Sequence, residues 1–242
     1  MQVEPALRWR KSRSSISIGP CFQYYSFDAD DNQGRYITNE GVVHTYDSAT
    51  IADDKAHVGL FFNYVLDSRN SSLYPTTGSF VNFKVKGFNG VNDYSRSYGQ
   101  ITGEIAFFRA VGKNSNLVIA NRLGGGVSVG NITFYQSLFL GGQENLLGFR
   151  QYRYAGKHMM YNNLEVRLKV ASIASYLVPG QFGLVGFYDV GRVWEKDVLS
   201  KEWHTGAGGG VYFWPAQLLM LQLVAGKSVE GWYPYFTMGF RF

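Results

Sequence analysis

Charge, cysteine and proline are all scarce in this sequence. Asp, Glu, Lys and Arg make up 17% of the 242 residues, below the roughly 25% of an ordinary soluble domain. A disordered chain would be charge-rich and aromatic-poor, whereas aromatics here also reach 17%. Cys21 is the only cysteine, so a disulfide scaffold is excluded. The Ala/Glu/Lys/Leu bias of a coiled coil is missing as well. Uncharged windows at 170–188 and 203–226 approach the ~20 residues of a helical membrane span. The first is broken by Pro179 and Gly180, the second by Gly206, Gly208, Gly209, Gly210 and Pro215. What is abundant is glycine, at 29, with 17 Tyr and 18 Phe. Aromatics with few breakers point to many β-strands.

Strand periodicity runs through almost the whole chain. Side chains on a strand alternate between faces. Leu164, Val166, Leu168 and Val170 share one face, and Asn163, Glu165, Arg167 and Lys169 the other. Val81, Phe83 and Val85 oppose Asn82, Lys84 and Lys86. At the end, Trp232, Pro234, Phe236, Met238, Phe240 and Phe242 form an apolar face against Tyr235, Thr237, Gly239 and Arg241. About eleven such segments are legible: 3–11, 14–27, 56–67, 78–88, 96–110, 116–129, 158–170, 181–194, 204–214, 217–227 and 232–242. Most exceed the 5–6 residues of a typical soluble strand and suit the ~9–11 residues of a tilted membrane strand.

Connections alternate too. Short ones at 11–13, 111–115, 171–180 and 215–216, with 68–77 longer, fall at one rim. Long polar excursions at 28–55 and 130–157, with 195–203, fall at the other. Transmembrane barrels show this asymmetry. A soluble sandwich or lipocalin-like barrel would alternate as well, and period alone does not say which face is inside. Strand length, loop asymmetry and the aromatic end favour the membrane barrel. No composition shift divides the chain, so 1–242 reads as one barrel unit.

Motifs for chemistry are weak. Gly126-Val-Ser128-Val-Gly130 matches a nucleophile elbow, which works only at a strand-to-helix turn, and no amphipathic helix follows it. Gly226-Lys227-Ser228 ends like a phosphate loop, but Leu221 stands where its first glycine is needed. His44, His57, His158 and His204 lie on separate segments without metal-ligand spacing. A net charge of +5 is spread along many strands rather than clustered as in a nucleic-acid module. No catalytic residue, cofactor, metal or nucleic-acid partner is expected.

The richest constellation is 141–194. Gly141, Gly142, Leu147, Gly148 and Phe149 lie in a long loop with Arg150 and Arg153, followed by strands bearing Glu165 and Asp189. A confined carboxylate calls for a cation, and Arg150 or Arg153 on a loop folded back into the barrel would supply one.

Gly141-Gly142 with Leu147-Gly148-Phe149, Asn163-x-Glu165, and Phe187-Tyr-Asp189-Val-Gly191-Arg-Val-Trp194 resembles the C-terminal barrel of the BamA/TamA outer-membrane assembly superfamily, the bacterial surface antigen type. Asp67-Ser-Arg69-Asn70 with Tyr74-Pro75-Thr-Thr-Gly78 is similar to a turn of the same barrels. The closing Tyr235-Phe-Thr-Met-Gly-Phe-Arg-Phe242 resembles their C-terminal assembly signal, in which Phe236, Met238, Phe240 and Phe242 would face lipid or the insertion machinery. Trp203-His204-Thr-Gly-Ala-Gly-Gly-Gly210 looks closest to Bacteroidetes-type versions, some of them fused to calcineurin-like phosphoesterases.

This resemblance implies an antiparallel transmembrane β-barrel of sixteen strands in the bacterial outer membrane, of which the chain would supply the C-terminal part. The first residues hold no apolar stretch of a signal peptide, which accords with a portion of a longer precursor. Family members insert or translocate proteins without enzymatic chemistry, so outer-membrane lipid, the assembly machinery and client β-barrel proteins are the implied partners. The alternatives are an anchor for a phosphoesterase and a passive porin. In the family a loop arginine reaches acids matching Glu165 and Asp189. Leu147 stands at its position here, leaving Arg150 or Arg153 as the expected substitutes.

Overall fold

The computed structural model describes residues 1–28, 50, 53–112, 116–176, 179–195, 202–216 and 218–242. Most of the long excursion expected at 28–55 therefore lies outside the described residues, as does most of 195–203.

One antiparallel sheet holds the main strands, each pairing with its neighbour in the chain. Its edge is β1 (Gln2–Val3) and β2 (Leu7–Lys11), both paired to β3 (Ser14–Tyr25). Then follow β4 (Lys55–Asp67), β5 (Gly78–Gly90), β6 (Tyr98–Val111) and β7 (Leu117–Gly130). The chain leaves the sheet, forms a small hairpin of β8 (Leu138–Leu140) and β9 (Tyr154–Gly156), and re-enters at β10 (His158–Ile173) beside β7. The sheet ends with β11 (Gly180–Trp194), β12 (His204–Pro215), β13 (Leu221–Ser228) and β14 (Gly231–Met238). Among the described residues β1/β2 and β14 are not paired to each other.

Counting β1 and β2 as one interrupted strand gives eleven, the number read from periodicity. The interruption falls at Pro5, which has no N–H for the ladder and is tolerated at an edge. The strands reach 16 residues at β10, long enough to cross a bilayer when tilted.

Burial settles the question that period left open. On β10, Leu164, Val166, Leu168 and Val170 are exposed, while Tyr161, Asn163, Glu165 and Arg167 are buried. The same outward apolar face continues through Leu60, Ile101, Leu123, Leu184 and Leu223. The inner face is polar and aromatic, the reverse of a soluble barrel. An outward apolar band over a polar interior is the pattern of a membrane barrel. No helix among the described residues is long and apolar enough to cross a membrane.

Candidate functional site

Three adjacent strands place a row of polar side chains at one level. Arg122 on β7 faces Asn163 on β10, and Asn163 faces Asp189 on β11. Two residues further along the same face of β10 come Glu165 and then Arg167. Asn163, Asp189 and Arg167 have no exposed surface, and Glu165 has 1%. Carboxylates removed from water persist as charges only with close cationic partners and filled hydrogen bonds.

Those partners are arginines. The Arg167 Nε donates to Glu165 Oε1 at 2.5 Å. Arg122 donates through Nε and Nη2 to Asn163 Oδ1, at 3.0 and 2.8 Å, and lies 3.5 Å from Glu104. The third is Arg241, beyond the end of β14. Its Nη1 and Nη2 donate to the two Asp189 oxygens at 2.7 and 3.0 Å, and its Nε lies 3.8 Å from Glu165. Such a two-pronged pair fixes direction as well as charge. Three guanidiniums thus meet three carboxylates.

The loop between β7 and β10 folds over this cluster. Leu140, Leu146, Leu147 and Phe149 are buried, and Asn145 ties the loop together by accepting from Gly141 N–H at 2.8 Å and donating to the Phe139 carbonyl at 2.9 Å. The Asn145 carbonyl accepts from Asn163 Nδ2 at 2.8 Å, and Leu147 N–H donates to Asp189 Oδ2 at 2.8 Å. Glycines on the facing strands let the loop come this close. A Cβ at Gly206 would overlap the Leu147 carbonyl oxygen, and one at Gly226 would sit 2.7 Å from the Gly148 nitrogen. Gly148 itself has φ +93°, a conformation that favours glycine. The Tyr235 hydroxyl on β14 accepts from Gly148 N–H and donates to the Phe149 carbonyl, at 2.9 and 2.7 Å. Within the loop, burial pushes the Tyr135 and Tyr154 phenols above their ordinary pKa, so both remain neutral at physiological pH.

Not every residue singled out from the sequence lands here. Glu165 and Asp189 do, with Leu147 against Asp189; Gly141 and Gly142 pack within the loop against 150–153, Gly148 lies on β13, and Phe149 packs with Tyr154 and His204. Arg150 and Arg153 do not reach the acids. Arg150 is exposed, and Arg153 pairs with Glu230 near the turn before β14 and covers the Tyr154 ring. The loop presents a backbone N–H to Asp189 instead, and the cation comes from the opposite rim as Arg241. Phe236 and Met238 point outward, 57% and 78% exposed. Phe240 and Phe242 depart from the expected lipid-facing row. Gly239 has φ +103° and turns the chain inward, setting Phe240 on Arg167 and Phe242 between Arg122 and Phe108.

Tyr74 and Pro75, from the β4–β5 connection, also enter. The Tyr74 hydroxyl lies 3.1 Å from that of Tyr212, and the Pro75 carbonyl accepts from Arg167 at 3.2 Å. Sequence reasoning missed Arg122 and Arg241 as members of the site. Alternation put Arg241 on the polar face, but nothing local showed that the strand stops before it. Ser128 is a buried strand residue whose hydroxyl accepts from Gln100, and β7 is followed by a three-residue 3-10 turn at Phe134–Gln136 rather than by the amphipathic helix of an elbow. Among the described residues no group of three or more His, Cys, Asp or Glu is placed to hold a metal.

A family model described as the Omp85 superfamily domain matches residues 3–216. No curated protein matches the sequence at a significant level. Among solved structures, BamA from Haemophilus ducreyi lacking POTRA domains 1–3 superposes with a TM-score of 0.70 at 16% identity, over 94% of this chain and 51% of that one. CdiB from Acinetobacter baumannii gives a TM-score of 0.46 at 11% identity, over 99% of this chain and 50% of that one. The chain spans about half the length of the solved structures it matches.

Proposed function

Because the chain belongs to the Omp85 superfamily, we propose that it builds part of the wall of an outer-membrane β-barrel that inserts or translocates other proteins. The observation that carries this reading is an outward apolar face over a polar inner wall, on strands long enough to cross a bilayer. Lipid does not tolerate unpaired backbone groups, so a wall of this kind works only within a closed barrel. A client strand that pairs at an opened seam of such a barrel gains main-chain hydrogen bonds and is ordered as it enters the bilayer, which is β-augmentation put to work in assembly. The work is done by pairing and burial, without enzymatic chemistry. Outer-membrane lipid, the assembly machinery and client barrel proteins are the partners of this reading, with residues 1–242 acting as one barrel portion.

In this scheme Glu165 and Asp189 anchor the 138–156 loop inside. A passive porin would keep its inner wall wet for conduction, whereas Glu165, Arg167 and Asp189 have almost no contact with solvent. An anchor for an attached phosphoesterase would need no client binding at all.

The test is reconstitution. Liposomes carrying the protein are mixed with a urea-unfolded eight-stranded outer-membrane protein, and folding is followed by heat-modifiable gel migration. Folding faster than in empty liposomes supports the reading; equal rates overturn it.

A further inference from the structure

The outward face is apolar along most of each strand, and its charges are all of one sign. Asp67, Glu104, Glu165 and Asp189, the acids of the sheet strands, fall on inward positions. Outward positions carry Lys11, Arg109, Arg192 and Lys227, each near a strand end. Cations at such depths, with no acid beside them on the same face, lie at the level of lipid headgroups.

Arg192 stands apart from the other three. It lies on β11 opposite Met160 of β10, two residues before the strand ends at the rim of the long connections. Its guanidinium carbon sits 5.0 Å from the Trp194 ring, which meets the Trp203 ring edge-on at 6.1 Å. Trp194 in turn pairs across the ladder with His158. The Arg192 Nε and the His158 Nδ1 are both buried without a hydrogen-bond partner. Glu195, just past Trp194, accepts from the Lys157 N–H at 3.1 Å, and among the described residues no carboxylate pairs with Arg192. A guanidinium held on an indole at the edge of hydrocarbon, with its fork unused, calls for an anion from outside the chain. Phosphate oxygens fit that fork two at a time. Below it the outward face descends through Val190 and Tyr188 to Gly186, where even a Cβ would meet nothing nearer than 3.9 Å. That bare stretch leaves room for hydrocarbon chains, from which a free phosphate ion would gain nothing.

We propose that Arg192, Trp194 and Trp203 form a seat for the phosphate of a lipid headgroup, with the lipid's chains lying down β11 over Gly186. The seat rests on the outward face meeting lipid and not on the insertion of clients. Binding is read in micelles without a client, so the two readings fail separately.

The probe is dioctanoyl phosphatidic acid, titrated by calorimetry into the full chain in maltoside micelles. Dioctanoylglycerol, with the same chains and no phosphate, is titrated beside it. The unmodified chain is expected to bind the phosphatidic acid at least about tenfold more tightly than the glycerol, the scale of one charge-assisted hydrogen bond. Arg192→Gln should remove that preference, and Arg192→Lys, which keeps the charge and loses the fork, should retain only part of it. Lys227→Gln, at another outward cation, should leave it unchanged. Equal binding of the two lipids by the unmodified chain, or an undiminished preference in Arg192→Gln, overturns the seat. An equal loss in Lys227→Gln overturns it too, since surface charge alone would then account for binding. Displacement of the phosphatidic acid by millimolar inorganic phosphate would overturn the lipid in favour of a bare anion. Folding of each variant is checked by heat-modifiable migration. Should Arg192→Gln fail to fold, Arg192→Lys takes its place, and an undiminished preference there overturns the fork.

Discussion

Asp189 collects more of the molecule than any neighbour on its strand: a backbone N–H from the loop of one rim and a guanidinium from the segment beyond the other. Removing one member of a buried pair leaves the other charge uncompensated, at a cost of about 3–5 kcal/mol. Asp189→Ala is therefore expected to lower the urea midpoint of the protein in detergent and to expose the 138–156 loop to protease. An unchanged midpoint and cleavage pattern would remove Asp189 from its anchoring role. The acids were legible in the sequence because a carboxylate on an inward strand position is conspicuous among apolar neighbours. Their partner was not, since an arginine near the chain's end could sit at a rim or turn inward, and only the φ of Gly239 decides. Leu147 misled in another way, because the loop's contribution at that position comes from backbone, which every residue type carries.

At the level of elements, periodicity placed all eleven sheet strands, and it erred where backbone geometry overrides side-chain pattern. The last strand ends at Met238 rather than 242, for the reason just given, and Pro5 splits the first. The β8–β9 hairpin escaped notice because three-residue strands are too short to show a period. The glycine run of β12 counted in the sequence against a membrane helix; in the structure Gly206 is a seat for the loop. Gly206→Val is expected to lift residues 146–149 off the wall, with an overpacking cost of about 1–3 kcal/mol. Limited proteolysis within 141–153 should quicken about tenfold. Gly186→Ala, whose new methyl would meet nothing nearer than 3.9 Å, is the matched control and should leave cleavage unchanged. Equal behaviour of the two variants would sink the steric account.

For the molecule as a whole, alternation gave two faces without saying which was outside, because inverting a barrel preserves its period. Burial assigns the apolar face outward. An arginine at Leu184, on that face and in the first third of β11, should cost up to about 2–4 kcal/mol if the face meets hydrocarbon there. The folded fraction in liposomes, read by heat-modifiable migration, is expected to fall for Leu184→Arg and to stay near the parent value for Leu184→Ala. Tolerance of the arginine would argue that water, not lipid, covers this side.

Cys21 lies on β3, which pairs with β1 and β2, and is fully buried among Phe61, Phe88, Tyr98 and Ile132. Being the chain's single thiol, it is a clock already installed in the wall. A maleimide too bulky for the packed state can label it only while β1/β2 or the turn at Ile132 stands away. Labelling in micelles should be slow and single-phased, and its plateau rate at high reagent is the rate at which the margin of the sheet breathes. Instant labelling would mean that the packing over this thiol is never shut.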